Sequence, residues 1–372
     1  MNAATRRGLR RRRLAALGLA PALGDETSPA SALEVTRTLG ALQAQDYASG
    51  AWSIGVRSGL TLAEVEQAVL DREIVRTWPM RGTIHWVPAE DARWMCELLA
   101  APRGTALSTR YAQLGLGDRE VETAGRLFEE HLTEPMSRPD VIALLTEAGI
   151  DPTGQRAYHL VGHHCMTGLL CQGPLIGRQP SFVLIDSWIP LSRKLSREEG
   201  LATMAERYLR SHGPVTEKDL AGWFDKGLGV TREALDLLGD RVLREEVDGA
   251  TLLSHVDAPS VTGSHAGVHL LPQWDELLLG YKQRDLSLPP AHVARVVPGR
   301  NMVFKPTLVV DGEVAGTWRR EQRTAQVVVE VSPFVALGGG RWRDVDRAAT
   351  AYGRFLGREV EVVRAHPADG SG

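Results

Sequence analysis

The sequence is poor in lysine: Lys194, Lys218, Lys226, Lys282 and Lys305 are the only ones among 43 basic residues. Arginine dominance beside abundant Ala, Gly and Leu is the composition of a GC-rich coding source. Charge of one sign is also lacking. With 43 basic and 46 acidic residues the formal net charge is −3, which excludes a uniformly basic nucleic-acid binder; any contact with DNA must come from a local basic surface. Cysteine is scarce and odd in number. Cys96, Cys165 and Cys171 make no disulfide framework and fit a reducing compartment. No apolar run approaches the roughly 18 residues that a membrane span needs, so no membrane partner is expected. The N-terminus comes nearest to a targeting signal, with six arginines in the first thirteen residues before Leu14–Leu23. That run is short, is interrupted by Pro21 and leads into Gly24-Asp25-Glu26 without a small-x-small cleavage site. It reads as a first helix with a basic face, and the chain as cytoplasmic.

What is present is an ordinary globular composition, 43% hydrophobic and 24% charged over 372 residues, enough for two or three domains. Residues 5–17 and 31–45 have helical spacing, the second through Ala32, Val35, Leu39 and Leu42. Thr61-Leu62-Ala63-Glu64 is a capping box opening a third helix. Two β-rich runs follow, Ile74–Trp78 and Thr83–Val87, around a Pro79–Gly82 turn. Three helices and a hairpin is the plan of a winged helix. The plan recurs with helices over 89–169, one started by Ser137-Arg138-Pro139, then Leu170–Ile176 and Phe182–Ile185. It recurs again with helices from Ser196 to Leu238 and the runs Arg241–Val247 and Ala250–His255 about Asp248-Gly249, a strong hairpin signal. From about 266 strands dominate: Val268–Leu271, Phe304–Val310 and Glu313–Trp318 about Asp311-Gly312, and Gln326–Val331, closed by a helix over Arg341–Leu356. The expected fold is α+β, with three tandem winged-helix motifs at 1–88, 89–195 and 196–258 and a C-terminal β-rich segment at 259–372.

Leu42-Gln43-Ala44-Gln45-Asp46 closes the second helical stripe. On a continuous helix, residues two apart point away from one another. Two amides serving one site therefore require the backbone to leave the helix, and Gly50 is a sign of that break. By itself Gln-x-Gln is also what a solvated helix end looks like. The hairpin at 304–318, with Lys305, Arg319 and Arg320 at its ends, can reach into a groove of DNA; an ordinary surface hairpin has the same pattern.

Four segments in order carry a resemblance: Leu42–Asp46, Arg81-Gly82-Thr83-Ile84-His85, Trp274-Asp275-Glu276-Leu277-Leu278-Leu279-Gly280-Tyr281, and Val310–Trp318. Together they resemble the bacterial tandem winged-helix DNA glycosylases, the AlkZ- and YcaQ-like family, over nearly the whole chain. The resemblance implies winged helices in a C-shape around a DNA channel, with a catalytic Gln-x-Gln facing it. Those positions are Gln43 and Gln45, the pattern of the AlkZ branch, with Ala44 where a larger aliphatic residue is typical. Apart from the resemblance, the acids Asp46, Asp275 and Glu276 read first as structural ion pairs, with Asp46 the one expected to touch the site and His85 a second candidate neighbour. The hairpin at 304–318 is similar to the family's DNA-engaging one, with Lys305, Asp311, Gly312, Arg319 and Arg320 as candidate contacts. The implied partner is double-stranded DNA carrying alkylated purines, bound by a monomer without a cofactor.

The chemistry is coherent with those residues. Hydrolysis of an N-glycosidic bond passes through an oxocarbenium-like state, as in sugar hydrolysis generally. An N7- or N3-alkylated purine already carries positive charge and leaves readily. Catalysis then reduces to placing a water and accommodating charge on the sugar. A glutamine amide accepts and donates hydrogen bonds without acid or base strength. No Schiff-base nucleophile is needed, so lyase activity is not expected.

Other groups have blander readings. His159, His163, His164, Cys165 and Cys171 cluster, but fit no known zinc spacing, so no metal is expected. Gly338-Gly339-Gly340 reads as a hinge before the last helix. Asp275 and Glu276 read as structural acids, and Trp52, Trp86 and Trp94 as core. The functional alternatives are a winged-helix regulator that binds DNA without altering it, and an idle paralogue that shields alkylated DNA.

Overall fold

The two Asp-Gly pairs are hairpin corners. Asp248 and Gly249 have φ of 55° and 78°, Asp311 and Gly312 50° and 80°, the mirror-image turn whose twist matches that of its strands. The computed structural model describes residues 1–20, 31–99, 105–259, 267–299 and 303–365. The chain builds two units, one from Met1–Val65 with Ala202–Gly372 and one from Glu66–Leu201.

In the first unit the Asp311-Gly312 hairpin forms the interior of a five-stranded sheet. The strand order is Glu359–Arg364, Gln326–Pro333, Glu313–Gln322, Thr307–Val310, Val268–Leu271. Every neighbouring pair is antiparallel except the first, which is parallel. Helix Gly339–Leu356 makes the crossover that the parallel pair requires. Its buried face carries Val345, Ala349, Tyr352 and Phe355, and Tyr352 meets Trp318 edge-on with ring centroids 5.1 Å apart. Strand Glu359–Arg364 lies beyond the elements expected from the sequence.

The arginine-rich N-terminus is a helix, Ala3–Ala16, and its arginines anchor it within the same unit. Arg13 donates to the Pro214 carbonyl at 3.0 Å and lies 3.9 Å over the Tyr281 ring. Arg10 pairs with Glu313 at 2.5 Å and Arg12 with Glu245 at 2.6 Å. The stretch around Pro21 and Gly24-Asp25-Glu26 lies outside the described residues. Helices Arg197–His212, Glu217–Phe224 and Leu228–Leu238 precede the hairpin Val242–Val247/Ala250–His255, as expected. Asp275 and Glu276 are structural. Arg57 grips Asp275 through two nitrogens at 2.8 and 2.9 Å, and Glu276 takes His212 at 3.2 Å and the Trp223 indole at 3.1 Å.

The second unit contains the strands Thr83–Pro88, Ile74–Met80, Leu170–Gln172, Ser181–Leu184 and Met136–Ser137, neighbours in that order. The first hairpin turns at Arg81-Gly82, with φ of 56° and 63°, not over Pro79–Gly82. Pro79 belongs to the strand, where the register shifts between Thr77 and Met80; a bulge is where a strand tolerates proline. Trp86 and Trp94 are core here, and Trp52 is core in the first unit.

Candidate active site

Ser31 opens helix Ala32–Leu39 with a capping box: its hydroxyl accepts from the Glu34 N–H at 3.1 Å, and the Glu34 carboxylate accepts in return at 3.0 Å. The helix stops at Leu39, not at 45. Gly40 takes a φ of 78°, and a Cβ there would stand 3.1 Å from Cη2 of Trp223. Conformation and space both demand glycine. The chain then runs extended through Leu42–Gln43 before Asp46 caps a new helix, Tyr47–Ser58, by accepting from the Ser49 N–H at 2.8 Å. The backbone therefore leaves the helix at Gly40. Gly50, expected to mark the break, is buried inside the helix that follows. That helix escaped the sequence reading because Ser49 to Gly55 are all buried, with Arg57. A helix covered on nearly every side has no polar stripe to reveal its period.

The two glutamines meet in this turn. Gln43 is 7% exposed, and its Oε1 accepts the backbone N–H of Gln45 at 2.9 Å. Only oxygen can accept, so that bond fixes the amide's orientation. The Gln43 amide nitrogen has no partner among the described residues. Ala44 is fully buried, while the Gln45 side chain is exposed. One amide thus offers two donor hydrogens from a nearly buried position, and the other faces solvent.

Asp46 follows directly, its side chain 44% exposed. The Oδ1 that caps the helix also lies 3.6 Å from Nη2 of Arg320. Burial raises the pKa of the Tyr352 hydroxyl, and the neighbouring Arg320 charge pulls it part of the way back. Trp52 packs edge-on against Tyr352 with centroids 5.0 Å apart, and its indole N–H donates to the Leu270 carbonyl at 2.7 Å. Tyr352 and Arg320 thus support the turn, and no local spacing relates them to residue 46.

The remaining candidates are placed as follows. The turn Asp311-Gly312 is packed: a Cβ on Gly312 would stand 2.9 Å from Cβ of Arg10, and Asp311 pairs with Arg341. Arg319 and Arg320 do not end the hairpin. They sit within strand Glu313–Gln322, opposite Glu330 and Val329. Arg319 is exposed and pairs with Glu330 at 2.5 Å; the Lys305 side chain is exposed.

His85 belongs to the second unit and is fully buried. Its Nδ1–H donates to the Thr83 carbonyl at 2.9 Å, and Nε2 accepts from Arg81 at 3.0 Å. Burial, and then the Arg81 charge, hold its pKa well below the ordinary value, so it is a neutral imidazole. Nearby candidates for metal are equally committed. Nε2 of His164 is 3.0 Å from the Val121 carbonyl, and burial pushes the Cys165 and Cys171 thiols well up. Among the described residues no group of three His, Cys, Asp or Glu side chains is placed to hold a metal ion.

Residues 36–355 match the family model described as DNA glycosylase AlkZ-like. A Streptomyces sahachiroi protein described as an interstrand DNA cross-link repair glycosylase is 27% identical over 316 residues, 80% of this chain and 84% of its own. The solved structure of the Streptomyces sahachiroi DNA glycosylase AlkZ shares the fold, with a TM-score of 0.79 at 22% identity over 98% of this chain and 100% of that one.

Proposed function

Because the chain belongs to the AlkZ-like DNA glycosylase family, we propose that it hydrolyses the N-glycosidic bond of cationic alkylated purines such as N7-alkylguanine, and that Gln43 and Gln45 perform the step. Membership in a glycosylase family favours this over a regulator that leaves DNA unaltered. The observation that carries the assignment is the bond from the Gln45 N–H to Gln43 Oε1 at 2.9 Å. It commits the Gln43 oxygen and leaves its amide hydrogens to hold a water, while the exposed Gln45 amide can accept from that water. Neither group can protonate a base, so the leaving group must bring its own positive charge. Water is the nucleophile and no amine enters, so the product is an abasic site without strand cleavage.

The Streptomyces sahachiroi relative is described as repairing interstrand cross-links. Carried to this chain, the substrates include purines cross-linked through the alkylated nitrogen, since unhooking one is the same bond cleavage. In this reading the three helices-then-hairpin units act as winged helices of a monomer on duplex DNA. Lys305 and Arg319 are exposed enough for phosphate contacts, whereas Asp311 and Gly312 shape the turn. The test is single-turnover incubation with N7-methylguanine and uracil duplexes, followed by hot alkali. Breaks at N7-methylguanine and none at uracil are expected, with activity lost in Gln43→Ala,Gln45→Ala. Efficient uracil excision or an active double variant overturns the mechanism. A band shift without alkali-sensitive sites identifies a shielding protein.

A further inference from the structure

We propose that Arg320 is a positioning residue for base excision and not a contact to the DNA backbone: supported by Tyr352, it fixes the Asp46 carboxylate and through it the turn that carries Gln45. The inference rests on the Gln43/Gln45 reading above.

Successive residues of a strand face opposite sides, and Arg319 and Arg320 divide accordingly. The Arg319 side chain is 77% exposed and pairs with Glu330 across the strands. Arg320 shares the face of buried Trp318 and is 26% exposed. At Arg320 its strand is paired with Gln326–Pro333, opposite Val329, and two residues earlier buried Trp318 anchors the same face, so the guanidinium departs from an anchored base. Tyr352, against which it rests, has its ring enclosed by Trp52 at 5.0 Å, Trp318 at 5.1 Å and Phe355 at 6.1 Å. At the other end, Asp46 Oδ1 holds the Ser49 N–H at 2.8 Å and lies 3.6 Å from Arg320. Asp46 is thus the joint between a rigid helix, a rigid strand and the residue before it, Gln45.

A partly exposed ion pair adds little to global stability, whereas misplacing a reacting group by about 1 Å can cost roughly 10²-fold in rate. Arg320 should therefore be felt in the chemical step and hardly in unfolding. A phosphate contact has the opposite signature: weaker binding, a salt slope reduced by about 0.9 per lost contact, and an intact rate at saturation.

The experiment measures the single-turnover rate on N7-methylguanine duplex at saturating enzyme, with Kd between 50 and 200 mM salt, for Arg320→Gln, Arg320→Lys, Tyr352→Phe, Asp46→Asn and the Arg320→Gln,Asp46→Asn pair. Arg320→Gln is expected to lower the saturated rate about 10- to 10²-fold while Kd and its salt slope stay unchanged. Arg320→Lys should recover part of the rate, and the pair should be no slower than the slower single variant, because both break one link. Tyr352→Phe removes only a hydroxyl and should lose rate in the same direction, which keeps the test decisive even if Arg320→Gln folds poorly. A reduced salt slope with a normal saturated rate overturns the proposal in favour of a backbone contact, and no change in either leaves Arg320 a surface ion pair. Gln45→Ala run in parallel separates the levels. If it is inactive while Arg320→Gln is fully active, only the present inference fails; if it is fully active, the underlying reading fails as well.

Discussion

Replacing each glutamine by glutamate separates their roles. The Gln43 oxygen already commits one lone pair to the Gln45 N–H, so in this reading residue 43 acts on a water through its amide hydrogens. Gln43→Glu keeps the backbone contact and loses those hydrogens. Losing one preorganised donor costs about 2.7–4 kcal/mol, or 10²–10³ in rate. The new carboxylate would attract the sugar cation, but at about 7 Å and an effective dielectric of 20 this gives only about 2 kcal/mol. The donor loss wins by about 0.7–2 kcal/mol, and Gln43→Glu should be slowed about 3- to 30-fold. At residue 45 the balance reverses. A carboxylate there still accepts from the water, is a stronger acceptor than an amide, and favours the cation. Gln45→Glu should keep at least about a tenth of the rate, whereas Gln45→Ala should lose about 10²–10³. Affinity for alkylated DNA should hardly change, since phosphate contacts dominate it. Single-turnover depurination of an N7-methylguanine duplex, with Kd measured alongside, makes the comparison. A fully active Gln43→Glu beside an inactive Gln45→Glu would refute this division of labour.

Gly40→Ala should destabilise the first unit by about 1–3 kcal/mol, the range for strained backbone, because of its φ of 78° and the Trp223 ring 3.1 Å from the new Cβ; its rate should fall too, and a wild-type urea midpoint would refute the packing argument. His164 is held to about 4, mainly by burial, then by His163. Its neutral form is favoured in the fold, so the contribution is present above about pH 6.5 and is lost as pH falls towards 4, roughly 3 kcal/mol in all. Urea unfolding at pH 7 and 4.5 should show that loss, with a shallower dependence in His164→Gln. Because the net charge is −3, binding should rest on a local basic surface: about six phosphate contacts would weaken Kd roughly a thousandfold between 50 and 200 mM salt, and salt-independent binding would exclude such a surface.

Features written in local chemistry were legible from the sequence. The Thr61–Glu64 box, the two Asp-Gly corners and Pro139 at a helix start each depend on neighbours within a few residues. The surroundings of the hairpin at 304–318 were not. Its strand Glu313–Trp318 alternates buried and half-buried residues, and a surface hairpin with one covered face shows the same period. Its place inside a sheet depends on pairing with Val268–Leu271 and Gln326–Pro333. The candidate site divides in the same way. Gln43 and Gln45 could be named from a resemblance carried by four segments. That Arg320 faces Asp46 depends on which side of a strand it occupies and on Tyr352 in the last helix, and neither is encoded near residue 46.

The first unit is assembled from both ends of the chain, and this sets the order in which the protein can be made. Arg57 meets Asp275 across a sequence separation of 218 residues, and the helix after Gln45 rests on Tyr352 and Phe355. At about 5–20 residues per second on a ribosome, the residues that support Gln43 and Gln45 emerge on the order of 15–60 s after the glutamines themselves. The continuous stretch Glu66–Leu201 has all of its own partners well before then. The turn that carries Gln43 and Gln45 therefore waits for almost the whole chain, and a nascent product halted before the last helix would carry both glutamines without the support that holds them in place.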